Sequence, residues 1–238
     1  MSKITTVLFD LDGTLLPMDQ DVFVNAYFGL LAKKLAPYGY DGEKLIAAIW
    51  QGTAAMVKND GSVTNEEAFW ASFATVFGED VRKDEPVFEQ YYRNEFAQVQ
   101  KSCGFTPKAA EVIAYLKERG FRLALATNPI FPAVATESRI RWAGLNREDF
   151  ALVTTYENSR HCKPNPAYYR DVLEALGCTP EECVMIGNDA TEDLAAAKIG
   201  IPVFLVTDCL INKENVDISA YPNGNFDALI DFIQNLNL

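Results

Sequence analysis

The stretch Asp10-Leu11-Asp12-Gly13-Thr14 places two aspartates two residues apart. An Asp-Gly step alone is a common turn. A turn does not need the earlier aspartate, and two carboxylates this close repel unless a cation or a shared proton lies between them. Three further places carry polar groups suited to the same work. Thr127-Asn128 offers a hydroxyl and an amide, neutral donors for the oxygens of an anion, although strand-to-loop junctions favour such residues anyway. Lys163 lies in Cys162-Lys163-Pro164-Asn165-Pro166, and in isolation reads as a solvated loop lysine. Gly187-Asn188-Asp189-Ala190-Thr191-Glu192-Asp193 carries Asp189 and Asp193, either of which alone could be a helix cap. Convergence of Asp10, Asp12 and Asp189 in one crevice would call for a hard divalent cation, and oxygen-only ligation points to Mg²⁺.

The elements needed to bring these residues together are legible. Apolar, β-branched runs at 4–10, 121–127, 150–155, 183–187 and 202–206 read as buried strands. Asp10, Thr127 and Asp189 each lie at or just beyond the carboxyl end of such a run, where open parallel sheets bind ligands. Helical patterns separate the runs. Thr106-Pro107 opens one that Gly120 closes, Asn165-Pro166 opens another that Gly177 closes, and Thr191–Ile199 reads as a short alanine-rich helix stopped by Gly200. Strands alternating with helices imply a doubly wound, mostly parallel α/β sheet.

Residues 17–99 break this rhythm, with aromatics at helical spacing and no buried strand. Helices are expected at 20–36, 43–57, 65–78 and 85–100, the third opened by a capping box at Thr64-Asn65-Glu66-Glu67. The expected organisation is an α/β core from 1–16 and 100–238, with an all-helical cap at 17–99. Most of its aromatics read as bundle core, and Trp50, Lys58 and Asn59 are its candidates to face the site.

In this order, each at a strand end, the motifs resemble those of the haloacid dehalogenase (HAD) superfamily. The resemblance runs from Ile4 to about Val206 and implies a Rossmann-like core with an inserted C1-type cap. It implies Asp10 as nucleophile, forming an aspartyl-phosphate, and Asp12 as general acid and base. It further implies Mg²⁺ held by Asp10, the Asp12 carbonyl and Asp189, phosphate contacts from Thr127, Asn128 and Lys163, and Asp193 orienting Lys163 or the metal ligands. Asn188 stands where many members carry the acid directly after the glycine, and the spacing to Asp193 favours Asp189. Dehalogenases of the superfamily lack the second aspartate, so Asp12 argues for a phosphatase acting on a small phosphorylated metabolite. A phosphomutase of the beta-phosphoglucomutase type would keep the same motifs, and a receiver-like phospho-signalling module would be about half this length and uncapped. His161 and Cys162 read as bystanders.

Composition bounds the rest. The 238 residues suit one large domain or one with a smaller companion. Lys plus Arg number 21 and Asp plus Glu 33, a net charge of −12 that argues against nucleic acid polymers and anionic membranes as partners. Five cysteines without a C-x-x-C pair, and no secretory or membrane-spanning run, point to reduced thiols in the cytoplasm. Nothing favours a monomer over a homodimer.

Overall fold

Strand β1 (Thr6–Phe9) is buried on both faces, with Val7 and Phe9 in one apolar layer and Leu8 in the other. A strand covered on both sides gains from apolar residues at every position, which is why Val7-Leu8-Phe9 shows no alternation. The computed structural model describes residues 3–236. In it β1 is joined by β2 (Arg122–Leu125), β3 (Leu152–Val153), β4 (Cys183–Gly187), β5 (Val203–Val206) and β6 (Asn223–Gly224). Every pairing is parallel and the order is β3-β2-β1-β4-β5-β6. The order reverses between β1 and β4, so a crevice opens at their carboxyl ends. Register sets Phe9 beside Leu125 on one side and Ile186 on the other. Asp10, Thr127 and Asn188 therefore leave the sheet at nearly one level.

Between β1 and β2 the chain makes α1 (Gln20–Leu35), α2 (Gly42–Val57), α3 (Asn65–Phe77) and α4 (Glu85–Arg93) before α5 (Pro107–Glu118). Later come α6 (Ala133–Trp142), α7 (Pro166–Leu176) and α8 (Phe226–Gln234). One apolar cluster joins Val7, Phe9, Leu125 and Ile186 to buried faces of α5, α6 and α8 and runs on into Phe23, Tyr27, Phe73 and Phe96 of the insert. A second lies under the opposite sheet face, where Tyr168, Tyr169 and Val172 of α7 meet Leu8, Ala124 and Met185.

The local signals explain most helix starts. Thr64 and Glu67 form the reciprocal capping box that opens α3, and Asn165 accepts from the Ala167 N–H to open α7. Thr106 occupies the cap position of α5 without making a side-chain cap bond. Two expected helices differ. The one expected over 85–100 ends at Arg93, and Glu95–Ser102 continues as a 3₁₀ helix, whose three-residue repeat carries both Phe96 and Val99 into the core. The one expected at 191–199 is a 3₁₀ turn from Leu194 to Ile199. Its start is delayed because the Asp189 carboxylate takes the Thr191 and Glu192 N–H groups at 2.7 and 2.9 Å. Helices α6 and α8 and the two-residue β6 are additions to the expected elements.

The insert is tied to the sheet edge at two places. At its base Met18 bridges Cys103, and the Gly104 N–H donates to the Pro17 carbonyl at 2.7 Å. At its far side Asn65, fully buried, donates from its main chain to the Ser159 carbonyl and from its amide to the Pro129 carbonyl and Cys162 Sγ. Asn65→Ala keeps the main-chain bond to Ser159 but strands the Pro129 carbonyl and Cys162 Sγ. It should lower stability by about 2 kcal/mol, read as an earlier midpoint in urea, whereas Asn94→Ala, at an exposed position, should shift it by less than about 0.5 kcal/mol.

Candidate active site

Asp10 stands one residue beyond β1, buried, with its N–H donating to the Ile186 carbonyl at 2.8 Å. Lys163 comes from the loop before α7 and is 1% exposed. Its ammonium donates to Asp10 Oδ1 at 2.8 Å and to Asp193 Oδ1 at 2.7 Å. Burial opposes the lysine's charge, but Asp10 and Asp193 outweigh it and hold its pKa well above the ordinary value. Burial pushes the Asp10 pKa up to about 7, with Asp193 and Asp12 adding to the rise and Lys163 opposing it.

Asp193 has its other oxygen fully engaged, since Oδ2 accepts the N–H groups of Asn188 and Asp189 at 2.9 Å each. The carboxylate sits so close to Gly187 that any Cβ there would collide with it. On the other side of the crevice Gly13 adopts φ +89°, and a Cβ would strike the Asn188 amide. Glycine is required at both positions for these approaches, and at Gly13 for the backbone as well. Asn188 repays the contact: its Oδ1 accepts from the Thr14 hydroxyl at 2.9 Å and its Nδ2 donates to the Cys209 carbonyl at 2.7 Å.

Asp12 is held differently. Its Oδ2 pairs with Arg139 of α6, a residue 1% exposed, whose guanidinium lies 4.4 Å from the Phe131 ring centre. Its Oδ1 is buried without a partner. Burial raises the Asp12 pKa, and Arg139 opposes that rise. Asn128 accepts the Lys163 N–H at 3.2 Å and donates to Glu192 at 2.9 Å. Thr127 is buried, its carbonyl accepting from Thr154 and Tyr168. Asp10, Asp12, Thr127, Asn128, Asp189 and Asp193 all line one cavity of about 200 Å³, with Arg139 and Glu192 among the other walls. Lys163 does not line it and meets it through Asp10 and Asp193, to which its ammonium donates.

Arg139 and Glu192 are the two members that the motif pattern does not single out. Arg139 has a signal: it falls four residues after Ala135 and four before Ala143, on the buried stripe of α6. A cation on an apolar stripe has to meet an anion. Glu192 has its pKa raised to about 8, chiefly by burial, with Asp193, Asp189 and Asp10 adding and Lys163 opposing.

Five carboxylates against two cations leave an excess of negative charge that a divalent cation would offset. Among the described residues, however, no three His, Cys, Asp or Glu side chains gather into a metal cage. The three-carboxylate convergence expected of Asp10, Asp12 and Asp189 is thus not made by side chains alone. Arg139 draws one Asp12 oxygen aside, and Asp189 spends one on the Thr191 and Glu192 amides. The oxygen donors that remain still fit Mg²⁺, which keeps several waters and takes only one or two protein carboxylates beside substrate oxygens.

Of the cap candidates, Trp50 lines the cavity. Lys58 is exposed, and Asn59 spends its amide on the Val63 carbonyl and Asn65 Oδ1 at 2.9 and 3.0 Å. Neither faces the site, because their loop turns toward residues 156–162 of the core. His161 pairs with Asp171 at 2.7 Å and packs on Gly61, and Cys162 is buried against Asn65. Both lie outside the cavity wall.

A six-stranded parallel sheet with an Asp-x-Asp turn and a buried lysine at its reversal point defines a class of hydrolase. Residues 4–200 match the family model of the haloacid dehalogenase-like hydrolases, and the chain belongs to that family. It is 27% identical over 252 aligned positions to a phosphoglycolate phosphatase of Escherichia coli O157:H7, covering all of this chain and 96% of that protein. It is 24% identical to the pyrophosphatase PpaX of Bacillus cereus, covering 97% of this chain and 95% of that protein. Among solved structures, a HAD phosphatase from Thermococcus onnurineus superposes with a TM-score of 0.61 at 18% identity, covering both chains fully. At that identity the likeness speaks for the fold. No helix among the described residues is long and apolar enough to cross a membrane.

Lys163→Met leaves Asp10 and Asp193 buried without their cation. Stability at pH 7 in the presence of EDTA should fall by ~3 kcal/mol or more, measured by urea unfolding. Lys198→Met, at an exposed position, should change it by less than about 0.5 kcal/mol.

Proposed function

We propose that this hydrolase is a Mg²⁺-dependent phosphatase that cleaves a small phosphate monoester through a phosphorylated Asp10. The observation that carries the reading is the Asp10 carboxylate at the sheet edge, gripped by Lys163, with Asp12 lining the same cavity. The phosphatase names of its relatives support it.

In this reading the free oxygen of Asp10 attacks phosphorus in line as the bond to the alcohol breaks. Asp12 delivers a proton to the leaving oxygen, and its raised pKa favours the protonated form that the step needs. The same carboxylate then takes a proton from the water that hydrolyses the aspartyl-phosphate. Lys163 holds Asp10 in place and adds positive charge beside the phosphoryl oxygens, while Thr127 and Asn128 donate to them. Asp193 positions Lys163 and braces the turn that carries Asp189. Asp10, Asp189 and the Asp12 carbonyl would hold Mg²⁺, which supplies Lewis-acid polarisation of the phosphoryl group and offsets the crowded carboxylates.

Residues 17–99 act as the cap over this site. Their two ends meet at the Met18–Cys103 bridge beside β1, which makes a short hinge, and closure excludes bulk water from the ester. The expected locale is the cytoplasm, and the partner a phosphorylated metabolite.

Phosphate release from 4-nitrophenyl phosphate should require Mg²⁺ and cease in excess EDTA. Asp10→Asn should abolish turnover, and Asp12→Asn should lower kcat by about 10²-fold or more. Undiminished activity in EDTA would remove the metal from the reading, and a trapped phosphopeptide lacking Asp10 would remove the mechanism.

A further inference from the structure

The acidic cavity adjoins a second chamber of about 90 Å³ between the cap helices and the loop after β2. The two share Val24, Trp50, Ile130 and Phe131 as common wall. The rest of the chamber is built largely from aromatic rings, among them Phe69, Trp70 and Tyr156. No charged side chain lines it. Its walls are set edge-on and face-on to one another, with Phe69 and Trp70 at 86° and 5.5 Å and Trp70 and Phe88 at 87° and 5.6 Å. Aromatic pairs favour such edge-to-face packing, and a ligand ring can pack against aromatic walls in the same way.

We propose that the substrate is a phosphate monoester whose alcohol carries a single aromatic ring, with the phosphoryl group in the acidic cavity and the ring in this chamber. The proposal rests on the phosphatase reading and narrows it to a substrate class. Size allows one ring at most: an apolar cavity of about 150 Å³ holds a single benzene, and this chamber is smaller. Charge sets the polarity. A leaving group bearing a carboxylate, as in phosphoglycolate, would lose hydration on entering a chamber that offers it no cation. Arg139, which lines the acidic cavity and not this chamber, is already paired with Asp12. The aromatic repeats of the insert therefore serve two ends, most of them packing the bundle and a few facing this space.

The test compares benzyl phosphate with ethyl phosphate and 2-phosphoglycolate, all three esters of primary alcohols, so that the broken bond is of one kind. With Mg²⁺ present, kcat/KM for benzyl phosphate should exceed that for ethyl phosphate by about 100-fold and should also exceed that for 2-phosphoglycolate. Binding of benzylphosphonate and ethylphosphonate, which cannot be hydrolysed, measured by calorimetry should show the same preference. Thr53 lines the chamber from α2, and Thr53→Phe should lower the benzyl-to-ethyl ratio at least tenfold. Thr53→Leu, a smaller intrusion, should lower it by less, which guards against misfolding as the cause. Comparable kcat/KM for benzyl and ethyl phosphate, or a ratio untouched by both variants, would overturn the proposal while leaving a phosphatase. A binding preference for the benzyl ligand with no turnover of any ester would instead overturn the phosphatase reading and keep the ring chamber.

Discussion

A buried ammonium without counter-charge costs several kcal/mol, and the sheet edge of this protein is arranged around Lys163. Two carboxylates meet it, Asp10 from the end of β1 and Asp193 from the turn after β4. Neither would be stable so deep alone, and each is stable with the lysine between them. The triad pins together three chain segments that are far apart in sequence, at the point where the strand order reverses. Its internal strain is visible in Asp10, whose pKa stays near 7 even beside the cation, because burial and two further aspartates push the other way.

The second ion pair, Asp12 with Arg139, complements the first. It binds only one oxygen of Asp12 and leaves the other buried and unpaired. Arg139 in turn lies over the Phe131 ring, on the wall shared by the acidic cavity and the aromatic chamber. One side chain thus links the acid beside the reaction centre to the surface that would hold the leaving group. Arg139 comes from α6, an element that bears no motif of its own.

The insert is held by polar ties at its edges and by a continuous apolar cluster in between. Asn65 fixes α3 to the loop after β2 and to the segment that leads into Lys163, so the insert is registered against the same lysine-bearing segment that holds Asp10. This geometry explains why Lys58 and Asn59 do not reach the cavity. Their loop is spent on docking the insert, and the cavity wall comes from about two turns earlier in α2, at Trp50.

Much of this was legible in the residues alone. Strand runs such as Val7-Leu8-Phe9 declare themselves because a strand buried on both faces must be apolar throughout, and caps such as Thr64 and Asn165 act on amides within three residues. The strand-end positions of Asp10, Thr127 and Asp189 follow from the same local rules. Arg139 was hidden because its partner Asp12 is 127 residues away, and only the stripe on α6 hinted that it is buried. The 3₁₀ turn at Leu194–Ile199 escaped because side-chain bonds from Asp189 override alanine's helix preference. The aromatic chamber could not be foreseen at all, since a ring at helical spacing looks the same whether it fills a core or faces a void. Local sequence determined the elements and the chemical groups at their ends; the packing of α2 and α3 against the loop after β2 decided where space was left, because a cavity is a property of several surfaces together.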